Sequence, residues 1–102
     1  MESTTSPDVN RIRRTLEQHL ADLQERYHVL SLGIFGSYVR GQESGASDLD
    51  VLVAFSEPPS LLEFVALENH LCDLLGVKVD LVMRTALKPH LGQRILEEVV
   101  PV

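Results

Sequence analysis

Leu32-Gly33-Ile34-Phe35-Gly36-Ser37, followed after a ten-residue spacer (Tyr38 to Ser47) by Asp48-Leu49-Asp50-Val51-Leu52-Val53-Ala54-Phe55, decides how this chain is read. Each half joins an apolar, strand-forming run to polar chemistry at one end. At the first junction Gly36 has no Cβ and Ser37 carries a hydroxyl where a strand turns into a helix, so backbone N–H groups and that hydroxyl can approach phosphate oxygens closely. At the second, Asp48 and Asp50 are two positions apart. Strand alternation sends both carboxylates to one face while Leu49, Val51 and Val53 enter the core. Phosphate donors beside paired carboxylates are the parts of a site for a nucleotide and a metal ion. Gly-Ser and Asp-X-Asp are each common in turns and solvated loops. The information lies in their combination, one at a strand's end and the other at a strand's start.

Upstream, Ser6 is placed to cap a helix with Pro7 at its first position. Val9, Ile12, Leu16, Leu20, Leu23 and Tyr27 then recur at helical spacing, which predicts a helix over 7–27. His28 to Phe35 reads as strand one, in which Gly33 implies a close backbone approach. Ser37 to Gly41 is expected to make one or two helical turns, and the polar loop 42–47 delivers the chain to strand two over 48–55. Pro58 and Pro59 end that strand. Ser60-Leu61-Leu62-Glu63 has the spacing of a capping box at the start of a helix over 61–75, with Gly76 as its stop. Val77 to Met83 reads as strand three, with Val79 and Leu81 on one face and Asp80 on the other. Pro89 opens a last helix whose inward stripe is Leu91, Ile95 and Val99, flanked by Leu96 and Val100. This alternation predicts an α/β fold, a small mixed sheet of about three strands flanked by helices.

If strands two and three are neighbours, Asp80 sits beside Asp48 and Asp50 and three carboxylates converge. Like charges about 4 Å apart repel by roughly 4 kcal/mol per pair at an effective dielectric near 20, so such a group takes up protons or binds a cation. Oxygen ligands and a phosphate-bearing partner favour Mg²⁺. His19, His28, His70 and His90 show no paired spacing, which argues against zinc. Arg40 follows the turn closely enough to meet a phosphate, or to pair with a carboxylate at the surface. Ser47 is read as bonding the local backbone.

The 102 residues are read as one domain of ordinary hydrophobic content, 44%. A formal net charge of −6 argues against a grip on extended nucleic acid, which needs concentrated basic surface. Arg11, Arg13 and Arg14, the only compact basic cluster, read as a solvated helix face. Apolar runs of about five residues and a polar start predict neither a membrane span nor a secretory signal, hence a cytoplasmic protein. The single cysteine, Cys72, excludes an internal disulfide and reads as a small buried hydrophobe.

Gly36-Ser37-Tyr38-Val39-Arg40-Gly41 together with Ser47-Asp48-Leu49-Asp50-Val51-Leu52-Val53 resembles the signature of the nucleotidyltransferase superfamily that shares the DNA polymerase β palm fold. Within it, a single small domain is most similar to the minimal nucleotidyltransferases, commonly paired with a HEPN-domain toxin. The resemblance implies that Asp48 and Asp50 coordinate Mg²⁺, that Asp80 completes the site, and that Ser37 contacts nucleotide phosphate. It also implies an antitoxin role, in which AMP from ATP is transferred to a tyrosine of the toxin. Two other readings stay open at this level: an antitoxin that acts by occlusion through an apolar surface such as Leu96 and Val100, and a nucleotidyltransferase for a small molecule or an RNA end.

Overall fold

Helical spacing of apolar residues builds the first element, α1, Val9–Tyr27. Ile12, Leu16 and Leu23 are fully buried, and Val9, Leu20 and Tyr27 pack at the margin of the same stripe. The computed structural model describes residues 9–36, 48–86 and 89–102, with the side chains of 86–91 outside that description. The expected Ser6–Pro7 helix start, the turns at Ser37–Gly41 and the loop 42–47 lie outside the described residues, as does the side chain of Leu91. After α1 the chain reverses at His28, whose φ of +60° is left-handed, so strand β1 begins one residue later than expected, Val29–Phe35. The His28 carbonyl accepts both the Ser56 N–H (2.8 Å) and the Ser56 hydroxyl (3.1 Å), which ties this corner to the far end of the next strand.

Strand β2, Leu49–Phe55, pairs antiparallel with β1, and strand β3, Val79–Met83, pairs parallel with β2. A parallel pair needs a crossover, and helix α2, Leu61–Leu75, supplies it. Its ends follow the sequence signals. The Ser60 hydroxyl accepts the Glu63 N–H at 3.1 Å while the Glu63 carboxylate accepts the Ser60 N–H at 2.9 Å. At the other end Gly76, φ +71°, donates its N–H to the Cys72 carbonyl.

Alternation along the strands sends Leu32, Ile34, Leu49, Val51, Val53, Val79 and Leu81 into the core with the apolar faces of α1 and α2, where Leu67 and Leu71 are fully buried. Tyr27 and His70, with ring centroids 5.7 Å apart, join the end of α1 to α2. Cys72 is half-buried rather than buried, and its Sγ accepts the Val79 N–H at 3.3 Å. One turn earlier, Glu68 Oε2 accepts the Leu81 N–H at 3.1 Å. These two contacts satisfy two N–H donors of β3, an edge strand, that would otherwise be open to another chain.

The C-terminal segment departs from expectation. A short 3₁₀ turn, Arg84–Ala86, leads to helix α3, Pro89–Glu98, but the helix stops before Val99 and Val100. Val100–Pro101 instead form a fourth strand, β4, antiparallel to β1, with Val100 opposite Ile34 and Pro101 opposite Gly33. Among the described residues the sheet therefore has four strands, in the order β3-β2-β1-β4. Pro101 is the physical reason: proline disfavours helical backbone in the residue before it, and an edge strand tolerates the N–H it lacks. The close approach expected at Gly33 is present, since a Cβ there would lie 2.5 Å from Val99 Cγ2. Of the basic cluster, Arg11 and Arg14 are exposed, and half-buried Arg13 lies 3.8 Å from Glu17. Among the described residues no helix is long and apolar enough to cross a membrane.

Candidate active site

Because β1 runs antiparallel to β2 and β2 runs parallel to β3, the C-terminal end of β1 and the N-terminal ends of β2 and β3 fall on one side of the sheet. Phe35, Asp50 and Asp80 occupy a single row across the three strands. Adjacent strands are about 4.8 Å apart and residues in one row share a face, so the Asp50 and Asp80 carboxylates start one strand spacing from each other. Asp80 is exposed between buried Val79 and Leu81, as the alternation predicts, and Asp50 is half-buried.

Gly36 closes the row. Its φ of +85° is left-handed, and a Cβ built on it would collide with the Asp50 carboxylate, meeting Oδ2 first and Cγ at 3.0 Å. The turn thus needs glycine twice, once for its backbone and once because an acid occupies the space. The Gly36 N–H donates to Glu98 Oε2 at 3.0 Å, a contact across 62 residues. Sequence reading missed Glu98. The available signal was Val100 before Pro101, which argues for a strand there and would have brought the end of α3 to the edge of the sheet.

Asp48 is half-buried and is the residue before β2, where strand alternation no longer dictates its direction. Among the described residues no three His, Cys, Asp or Glu side chains are gathered closely enough to hold a metal ion by themselves. The expected convergence of three carboxylates is therefore not formed by the described side chains: Asp50 and Asp80 are paired in register, while Asp48 precedes β2 and is not held to their face by strand alternation. That donor set fits Mg²⁺, which keeps several waters and shares its coordination between one or two carboxylates and substrate phosphates. Ser37 and Arg40 lie outside the described residues. A groove of about 300 Å³ lined by Val53, Phe55, Pro58, Pro59, Met83 and Arg84 sits at the other ends of β2 and β3, away from this row.

A family model described as nucleotidyltransferase domain matches residues 16–102. The chain belongs to the nucleotidyltransferase domain family. This nucleotidyltransferase is 49% identical over 89 residues to protein adenylyltransferase MntA of Thermococcus cleftensis, with 87% of this chain and 90% of that protein covered. The solved structure of a provisionally assigned minimal nucleotidyltransferase, 38% identical, matches with a TM-score of 0.79 over 94% of this chain and 97% of that one. A complex of a tri-AMPylated HEPN toxin with MNT antitoxin from Shewanella oneidensis matches at 20% identity and a TM-score of 0.62, over 87% of this chain and 70% of the matched one. At that identity the likeness shows the fold alone. The expected small mixed α/β fold of the family is present, with one more strand than the sequence suggested, and the nucleotidyltransferase is an enzyme.

Proposed function

We propose that this nucleotidyltransferase moves AMP from ATP onto a protein, a tyrosine of a HEPN-type toxin, and acts as that toxin's antitoxin. The observation that supports this most directly is the row of Phe35, Asp50 and Asp80 with Gly36 at its end, which sets a left-handed glycine against Asp50 and places two acids on one sheet face. The relative named a protein adenylyltransferase at 49% identity supports a protein acceptor. The tri-AMPylated toxin bound to a protein of this fold supports the kind of partner.

Asp48, Asp50 and Asp80 would hold magnesium, two ions in the fullest arrangement, which when bound screens the triphosphate and lowers the pKa of the acceptor hydroxyl. The Gly36–Ser37 turn seats the triphosphate through backbone donors and the Ser37 hydroxyl, with Arg40 as a further phosphate contact. The tyrosine oxygen attacks the α-phosphorus. A new O–P bond forms as the bond to pyrophosphate breaks, and the phenolic proton passes to Asp80 or to solvent. The exposure of Asp80 suits contact with an incoming protein side chain.

The test is incubation of the purified chain with α-labelled ATP, Mg²⁺ and the candidate toxin, followed by location of the label. Label on a toxin tyrosine is expected, and label on RNA or a small molecule refutes the protein acceptor. An Asp48→Asn variant that neutralises the toxin as well as the unsubstituted chain would replace transfer by occlusion.

A further inference from the structure

The geometry points to Glu98 as a positioning residue for the nucleotide turn, a role that rests on the reading of Gly36–Ser37 as the triphosphate seat. Glu98 Oε2 accepts the Gly36 N–H at 3.0 Å in a partly buried setting. This bond commits the first donor of the turn to the protein and fixes the plane of the peptide between Phe35 and Gly36. On its other side Gly36 abuts the Asp50 carboxylate. The turn is therefore held between two acids, Asp50 from β2 and Glu98 from the end of α3.

Glu98 is itself held. The chain leaves α3 through Val99, whose N–H still bonds the Ile95 carbonyl at 2.9 Å, and enters β4, where Val100 pairs with Ile34 and Pro101 with Gly33. Val99 fills space that Gly33 leaves open, since a Cβ on Gly33 would lie 2.5 Å from Val99 Cγ2. Strand pairing on one side and helix on the other determine where the Glu98 side chain begins. Glu98 supplies an acceptor to the turn rather than a ligand to an anionic phosphate, which its own charge would repel. Its function is to fix the Gly36 peptide and to keep Gly36 against Asp50.

The test uses the full chain labelled with ¹⁵N. In the unsubstituted protein the Gly36 amide should be shifted downfield and slow to exchange, and titration with Mg–ATP should move amides near the row. Glu98→Gln removes the charge and keeps an acceptor at the same reach, so it should retain Gly36 protection and bind Mg–ATP within about threefold of the unsubstituted chain. Glu98→Asp keeps the charge and shortens the reach. It should speed Gly36 exchange and weaken nucleotide binding about tenfold, as should Glu98→Ala. Glu97→Ala, a charge deleted one residue away on an exposed side chain, should change neither. If Glu98→Ala does not fold, the Gln and Asp variants still decide. A Glu98→Gln variant as weak as Glu98→Asp overturns the positioning role, because charge would then be what matters. Binding that is unchanged or tighter in Glu98→Asp also overturns it, the latter making Glu98 a plug on the phosphate seat. No nucleotide response from the unsubstituted chain would remove the proposed function and this role with it, while the Gly36 amide would still report the bond.

Discussion

Gly36 and Gly76 adopt the same left-handed backbone, φ +85° and +71°, yet only one of them is surrounded by chemistry. A Cβ on Gly76 meets nothing within 4 Å, whereas one on Gly36 strikes the Asp50 carboxylate. Gly76→Ala should therefore cost only the left-handed penalty, about 1 kcal/mol in chemical denaturation, with adenylyl transfer intact. Gly36→Ala carries that penalty and also displaces Asp50, so transfer should fall below detection even where circular dichroism shows a folded protein. Equal activity in the two variants would contradict the placement of Asp50 over the turn. Asp80 makes a different prediction. It is exposed, so Asp80→Asn should shift stability by less than about 0.5 kcal/mol. Loss of its charge should leave ATP bound while transfer drops about a hundredfold or more, measured by label incorporation at saturating ATP. Substantial residual transfer would remove Asp80 from the mechanism.

At the level of elements, what could be read in the sequence followed from how local each signal was. The capping box Ser60–Glu63 and the stop at Gly76 fixed both ends of α2, because each depends on residues within one helical turn. The alternation Val79-Asp80-Leu81 placed Asp80 outward for the same reason. What was missed depends on contacts across the chain. Ile95 and Val99 fit a helical stripe, and only the partner strand β1 together with Pro101 draws Val100 into β4. Glu98 on Gly36, and Glu68 and Cys72 on β3, are long-range or cross-element contacts with no spacing signature. The Glu68 contact yields a prediction at this scale. Glu68→Ala strips the acceptor from the partly buried Leu81 N–H, the neighbour of Asp80, and should cost about 1–3 kcal/mol in urea unfolding. Ser60→Ala should cost about 1 kcal/mol by loss of the cap, without touching transfer. If Glu68→Ala proves no more costly than an exposed α2 substitution, the edge contact contributes nothing to holding β3.

For the whole molecule, the sheet order β3-β2-β1-β4 decides which strand ends lie together. One antiparallel and one parallel pairing bring three strand ends to one side, and the fourth strand delivers the end of α3 to the same place. That end carries Asp48, Asp50, Asp80 and Glu98, on a chain whose formal net charge is already −6. A triphosphate therefore approaches against repulsion unless a cation arrives with it. The consequence is a ligand requirement that thermal unfolding can read. Any ligand that binds only the folded chain stabilises it by RT ln(1 + [L]/Kd), about 2.7 kcal/mol at about 100 times Kd. In a domain of this size about 1 kcal/mol moves the midpoint by roughly 4–8 °C. ATP with Mg²⁺ should then raise Tm by about 10 °C or more, while ATP with EDTA should leave it unmoved. Asp48→Asn, which weakens metal retention, should lose most of the rise. A stabilisation by ATP that persists in EDTA would mean that the turn alone holds the triphosphate and that the acids of β2 and β3 serve something other than a shared cation.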